Sequence, residues 1–286
     1  MLHEIKTELG FDLIELGHGI RVSLMPGIQK VFDAGEVRFS SLHNFCPLPV
    51  EVMMASPDCY QFSAVASEER KRAVKQTLQT IDFAVRLNAP FVVLHLGQVN
   101  IPPITDRLIT MAKTGAYLSR KYVRLKIEAV QKREKIAPAY LQRVKDCLRR
   151  IIEHAASKNV RLALEGRRGY EEIPTERELP VLLDELNSSQ LGYWHDFGHS
   201  QIKHNLGFID HLEWLRMVGP RAFGCHVQDC VWPAKDHETP STGDVNFEKL
   251  VPLLPTNCLF VWEMSPNKPA DAIRQSVQVW KERFGK

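Results

Sequence analysis

Six residues that can bind a metal or move a proton stand at comparable places along the chain: His43, His95, Glu165, Asp196, His226 and Glu263. Each closes a short strand-like run; Leu162-Ala163-Leu164 leads into Glu165, and Phe260-Val261-Trp262 into Glu263. Carboxylates carried on such runs are partly buried, and a buried acid requires a partner. Three ionised carboxylates about 5 Å apart repel one another by about 3 kcal/mol per pair at an effective dielectric of roughly 20. A single divalent cation removes that repulsion. With His226 as the nitrogen donor, the set Glu165, Asp196, His226 and Glu263 suits Mn²⁺, Mg²⁺, Co²⁺ or Zn²⁺ without fixing which, and leaves positions open for substrate or water. His43 and His95 admit two readings, since a lone histidine is as readily a hydrogen-bonded core residue as a ligand.

Bringing residues so distant in sequence to one place requires parallel strands whose C-terminal ends meet. Seven runs with strand character recur: Phe11 to Leu16, Val37 to His43, Phe91 to His95, Arg161 to Glu165, Leu191 to Asp196, Ala222 to His226, and Cys258 to Glu263. Between them Glu68 to Leu87, Tyr140 to Ser157, Thr175 to Leu186 and Ala270 to Phe284 show helical periodicity with charged outer faces. The alternation predicts an α/β fold, a (β/α)8 TIM barrel spanning residues 1–286 as one domain. The first of its strands is missing, because Leu2 to Leu9 ahead of the first run reads as a helix. Two explanations stay open: a start codon upstream of Met1, or a barrel that closes imperfectly and leaves an open sheet edge.

The chain has 286 residues, 44% of them hydrophobic and 25% charged, which is ordinary globular composition with room for a large core. A formal charge of +3 announces neither a nucleic acid nor a membrane. The six cysteines form no CxxC pair and read as reduced thiols. A polar N-terminus fits no secretory signal and no apolar run is long enough to span a bilayer, so a cytoplasmic protein is expected. Lys113 to Arg150 carries twelve Lys or Arg against three Asp or Glu. It reads as a solvated helical hairpin beside the barrel rather than a phosphate-tracking surface.

Several segments carry a family resemblance together: Phe11-Asp12-Leu13-Ile14-Glu15-Leu16, Leu164-Glu165, His195-Asp196-Phe197-Gly198-His199, His226-Val227-Gln228-Asp229, Gly243-Asp244-Val245-Asn246-Phe247 and Glu263. From Phe11 onward the chain resembles the xylose isomerase-like TIM-barrel superfamily, which holds sugar isomerases, epimerases, inosose dehydratases and the endonuclease IV family. The isomerase and epimerase branch implies that Glu165, Asp196, His226 and Glu263 hold one metal, and that Glu165 and Glu263 also move protons. Chelation of adjacent carbonyl and hydroxyl oxygens acidifies the carbon-bound hydrogen between them and stabilises the enediolate, while a carboxylate on each face removes and returns the proton. The same resemblance implies that His199 contacts substrate oxygens, its structural alternative being a helix cap, and that Glu171 is a further substrate-contacting acid. Arg167, Arg168 and Tyr170 depart from the pattern. The two arginines read either as solvated or as a grip on a carboxylate or phosphate.

A rival reading follows from the same resemblance. The endonuclease IV branch uses three zinc ions, with counterparts here in His43, His95, Glu165, Asp196, His199, His226, His237 and Glu263. Its Asp-x-His motif is replaced by Lys235-Asp236-His237, which puts one ligand of a third zinc in doubt. A DNA-repair enzyme must also neutralise several phosphates and wedge apolar groups into a groove, and the loops give little sign of either. Leu48 to Phe62, with Met53, Met54, Tyr60 and Phe62, fits an apolar lid over a small-molecule pocket, and Trp194-His195 is expected to narrow that pocket. A third reading is a noncatalytic barrel, against which the retained ligand set argues. The expectation is therefore a metal-dependent sugar or polyol isomerase or epimerase, a dehydratase of the same superfamily being its nearest variant. His43, His95, Arg167, Glu171, His199 and His237 surround the small-molecule substrate in this reading, and a homo-oligomer is compatible with it.

Overall fold

Alternation of side chains along each strand decides what the barrel interior contains. The computed structural model describes residues 2–266 and 268–285. Six strands follow in parallel: β1 (Leu13–Leu16), β2 (Arg38–His43), β3 (Phe91–Leu94), β4 (Arg161–Glu165), β5 (Leu191–Asp196) and β6 (Ala222–Val227). A hairpin of β7 (Asp229–Val231) and β8 (Lys235–Glu238) is antiparallel, and β9 (Leu259–Trp262) returns to pair with β6. The parallel sheet runs β1-β2-β3-β4-β5-β6-β9, and helices connect its strands. This is a nearly closed (β/α) barrel.

Because side chains two apart share a face, Phe91 and Val93, Ala163, Trp194, Leu259 and Val261 meet in one interior cluster. His95, Glu165, Asp196 and Glu263 continue the same parity one step further along their strands. The interior thus turns from apolar to chemical at the C-terminal rim. Trp194 is fully buried, with its ring 5.4 Å from that of His226. Its bulk fits because Gly224 lies opposite, where a Cβ would come within 2.2 Å of the indole. Trp194 therefore forms the floor below the rim, while His195 on the opposite face points toward the helices. There it joins a buried hydrogen-bonded chain in which Trp214 donates to the Tyr193 hydroxyl (3.2 Å), Tyr193 lies 2.9 Å from His195 Nδ1, and His195 Nε2 lies 3.1 Å from His211 Nε2. The chain continues from His211 Nδ1 to Gln201 (3.1 Å), then to Asn205 (2.9 Å) and the Pro233 carbonyl (3.2 Å).

Several sequence expectations shift. The missing first strand is not one of them: as the sequence indicates, it has no counterpart among the described residues, and nothing in the sheet pairs β1 with β9. A groove of about 740 Å³ separates them, lined by Leu13, Ile14, Glu15 and the whole of β9. β3 and β9 end at Leu94 and Trp262, so His95 and Glu263 are the first loop residues rather than the last strand residues. The basic stretch is not a hairpin: from Arg120 to Lys158 it is one helix, capped by Ser119 accepting from the Tyr122 amide and closed by Asn159 at φ 55°. The break falls earlier, at Gly115 with φ 77°, and Pro138 sits inside the helix without ending it. Two of its basic residues are tied into the fold: buried Arg133 grips Glu178 and the Glu172 carbonyl, and Lys126 donates to the Leu206 and Gly207 carbonyls. The Leu48 to Phe62 loop divides, with Phe62 fully buried and Tyr60 nearly so, while Met53 and Met54 are 85% and 82% exposed. No helix among the described residues is long and apolar enough to cross a membrane.

Candidate active site and metal centre

Glu165 ends β4 at the centre of the rim and is 1% exposed. Its Oε2 lies 2.9 Å from both His43 Nε2 and His95 Nε2. Its Oε1 faces His199 Nδ1 at 3.3 Å and His226 Nδ1 at 3.6 Å. Burial alone would raise the carboxyl's pKa, but His95 and His226 beside it hold it well below the usual range. The acid is therefore ionised despite its enclosure.

Asp196 does two jobs at the end of β5. Its Oδ1 accepts from the His199 amide at 2.7 Å and so caps the helix Phe197–Asn205, while Oδ2 accepts from Gln228 at 2.8 Å and faces His226 Nδ1 at 3.6 Å. Gly198 in the first turn admits Gln228, since a Cβ there would come within 2.6 Å of the amide oxygen. Opposed by burial, His199 and His226 bring the Asp196 pKa down.

His226 closes the group. It is fully buried, and its Nδ1 has no hydrogen-bond partner among the described residues although Glu263 Oε2 stands 3.2 Å away. A buried nitrogen without a hydrogen bond, facing three carboxylates, is what a cation site requires of its imidazole and what a purely structural histidine avoids. Donor atoms of Glu165, Asp196 and His226 fall within 4.8 Å of one another, so the residues fit a divalent ion. Glu263 is looser, with its side chain 35% exposed at the open side of the barrel.

The same criterion finds a second group, His43, His95 and Glu165. Here the nitrogens are already engaged, and His95 Nδ1 also meets Asp58 at 3.1 Å. Burial and Arg167 oppose protonation of His95, but Glu165 and Asp58 prevail and lift its pKa to about 9.

A cavity of about 330 Å³ opens over these residues, bordered by His18, His43, His95, Arg167, Glu171, His199, His237 and Glu263. That volume suits a small molecule. Arg167 is 5% exposed and held by Asp58 at 3.0 Å, by Glu172 and against His95, so its charge is balanced by the protein's own acids. Arg168 pairs with Asp106 at 3.3 Å and lies 3.7 Å from Asp236. Glu171 accepts from the Thr105 hydroxyl at 2.7 Å. His199 Nδ1 also lies 3.1 Å from the Gly166 carbonyl. His237, at φ 55° on β8, donates its amide to Gln228 at 2.5 Å and brings Nε2 to 3.9 Å from Glu263. Burial notwithstanding, Asp236 and Glu263 lift the His237 pKa to about 9.

Three cavity or rim residues went unassigned from sequence. His18 follows β1, and burial together with His43 and His95 pushes its pKa down to about 4, so it is a neutral imidazole at pH 7. Asp58 comes from the long loop and carries no local motif. Glu15 lies between buried Ile14 and Leu16 with its carboxylate against His226; an acid inside an apolar strand run was the available signal.

A nearly closed parallel barrel with acids and histidines at its C-terminal rim is the class that fold and site define. The sequence matches the xylose isomerase-like TIM-barrel family over residues 6–283, and the chain belongs to that family. A search of the curated proteins finds no match to the sequence. Among solved structures it is similar to a D-tagatose 3-epimerase-like protein, with TM-score 0.67 and 18% identity over 96% of this chain and 89% of that one. It is also similar to the 3-keto-D-glucoside 4-epimerase of E. coli, with TM-score 0.67 and 14% identity over 98% and 92%. The IOLI protein, solved with a bound zinc atom, gives TM-score 0.65 and 13% identity over 99% and 93%.

Proposed function

We propose that this protein is a divalent-metal-dependent isomerase or epimerase of a sugar, polyol or related hydroxy-ketone. The observation that carries the reading is the hydrogen-bond-free Nδ1 of buried His226 facing Glu165, Asp196 and Glu263. These four residues would hold the cation. When bound, it supplies Lewis-acid polarisation of a substrate carbonyl and neutralises the acids around it. Mn²⁺ is our first assignment, with Mg²⁺, Co²⁺ or Zn²⁺ as alternatives; zinc in the similarly folded IOLI protein supports a divalent ion.

The remaining chemistry belongs to the chain. Glu165 is ionised and enclosed, which suits it to take a proton from a substrate carbon. Glu263 reaches the cavity from β9 and gives the second carboxylate, so that removal at one face and return at the other inverts the centre. Return to the neighbouring carbon interconverts aldose and ketose. His199 and His237 present imidazoles to substrate oxygens, and neutral His18 adds a further hydrogen-bonding group at the mouth. Sugar epimerases among the structural neighbours support this substrate class. Exchange of the substrate C–H for deuterium, read by proton NMR over a panel of ketoses and inosose-like compounds with added Mn²⁺, tests the proposal. Exchange in one or more compounds supports it; none across the panel with any of the four metals contradicts it.

A second reading, a zinc phosphodiesterase acting on abasic DNA, is favoured by the His43, His95 and Glu165 group beside the first. About three zinc ions per chain and strand cleavage at an abasic site would support it. About one ion and no cleavage would exclude it.

A further inference from the structure

Glu15 stands on β1 and reaches across the open side of the barrel to β6. Its Oε1 is 3.0 Å from His226 Nε2, and its Oε2 accepts from the Ser41 hydroxyl at 2.6 Å, with Ser40 Oγ a further 3.1 Å beyond Ser41. The glutamate is fixed at both oxygens, and Ser41 is fully buried. An ionised carboxylate only accepts hydrogen bonds, so the proton between Glu15 and His226 resides on Nε2. In the neutral ring, the form that binds a cation, the electron pair is then on Nδ1, the atom that faces Glu165, Asp196 and Glu263 without a hydrogen bond. Were the tautomer reversed, an N–H would point into the centre and two lone pairs, of Nε2 and Oε1, would face each other.

We propose that Glu15 is a positioning residue for the metal centre: it holds the Nε2 proton of His226, and with it the ring's orientation, so that Nδ1 is the donor presented to the cation. This rests on the metal-dependent reading above. A carboxylate behind a ligating imidazole sets tautomer and basicity, and its removal weakens metal binding by about 10- to 100-fold. The position also matters mechanically. β1 is not paired to β9, so the Glu15–His226 contact is a side-chain tie between β1 and the far side of the rim.

The test is titration of the metal-free full chain with Mn²⁺, following the free-ion electron paramagnetic resonance signal, for the wild type, Glu15→Gln and Glu15→Ala. Thermal unfolding of each metal-free protein provides the folding control. The account expects about 10- to 100-fold weaker binding at unchanged stoichiometry in Glu15→Ala. A smaller loss is expected in Glu15→Gln, whose amide oxygen still accepts from Nε2–H. Nitrogen-15 NMR of the metal-free protein, taken at alkaline pH where the His226 ring is neutral, reads the tautomer directly, with Nε2–H expected in the wild type and a mixture in Glu15→Ala. Wild-type binding with unchanged affinity in both variants overturns the positioning role and leaves the isomerase reading intact. No Mn²⁺ binding by the wild type overturns both. Should Glu15→Ala fail to fold, Glu15→Gln carries the comparison, and an Nδ1–H tautomer in the wild type overturns the proposal by itself.

Discussion

Glu165 touches more of the chemistry than any other side chain, since both its oxygens face imidazoles and His95 and His226 keep it ionised. Replacing it with glutamine preserves size but removes the charge that accepts a proton in the proposed reaction. Glu165→Gln and Glu263→Gln should each lower solvent exchange at the substrate carbon by about 10²- to 10⁴-fold, the usual worth of a placed acid–base group. Proton NMR in deuterated water measures it, and unchanged exchange in both variants would remove the proton-moving roles. At this scale the sequence was informative where a strand ended on a ligand type. Asp196 and Glu165 do end their strands, and His226 falls one residue before the end of β6. What sequence did not convey was engagement. Sequence leaves Arg167 either solvated or gripping a carboxylate or phosphate, whereas Asp58 and Glu172 hold it, and Asp58 comes from a loop whose path no local pattern specifies.

The loop after the β7–β8 hairpin shows how an element is held where the site needs it. Asp229 is fully buried, and its carboxylate accepts backbone amides from Cys230 (2.8 Å), Thr242 (3.1 Å), Gly243 (2.9 Å) and Val245 (3.0 Å). Gly243 is required there, because a Cβ would come within 2.5 Å of Asp229 and 2.6 Å of the Cys230 carbonyl. Asn246 then caps the short helix Phe247–Leu250 by accepting from the Lys249 amide. The Gly243 to Phe247 motif is thus explained by backbone satisfaction rather than by contact with a ligand. Asp229→Ala strands several buried amides and should cost about 3 kcal/mol, with Gly243→Ala also destabilising. Urea unfolding measures both, and midpoints equal to the wild type would contradict this account. The charge pattern of Lys113 to Arg150 fits a hairpin because it carries no stop signal that distinguishes one helix from two, whereas the chain from Arg120 to Lys158 is a single helix. Its continuity is supported by tertiary ties such as Arg133 to Glu178.

Across the whole molecule, a buried polar chain from Trp214 through Tyr193, His195, His211, Gln201 and Asn205 to Pro233 links β5 to the helices that follow it. Both imidazoles can be neutral in it, with Tyr193 donating to His195 Nδ1, His195 Nε2–H to His211 Nε2, and His211 Nδ1–H to Gln201 Oε1. Burial, with His204 and Lys203 nearby, accordingly pushes the His211 pKa down from 6.5 to about 3. A histidine depressed on folding gives stability that is complete above the unfolded value and is lost as pH falls from 6.5 toward 3. Between pH 7 and pH 5 His211 alone should remove roughly 2 kcal/mol. Wild type and His211→Asn compared by urea unfolding at the two pH values isolate that term. The variant should lose less stability between them, and parallel losses would contradict the neutral network. The barrel itself was legible from seven strand runs alternating with helices. The period of two then told which residues share the interior, because it acts within each strand. The tie of Glu15 to His226, on strands far apart in sequence, was not legible, since it depends on how the rim curves.

The central claim is that Glu165, Asp196, His226 and Glu263 hold one divalent cation. Elemental analysis of the purified chain after exhaustive dialysis against Mn²⁺-containing and then metal-free buffer, alongside His226→Ala, tests it most directly. The account predicts about one divalent ion per wild-type chain and loss of that ion in the variant. No bound divalent ion in the wild type, or equal content in His226→Ala, would contradict it.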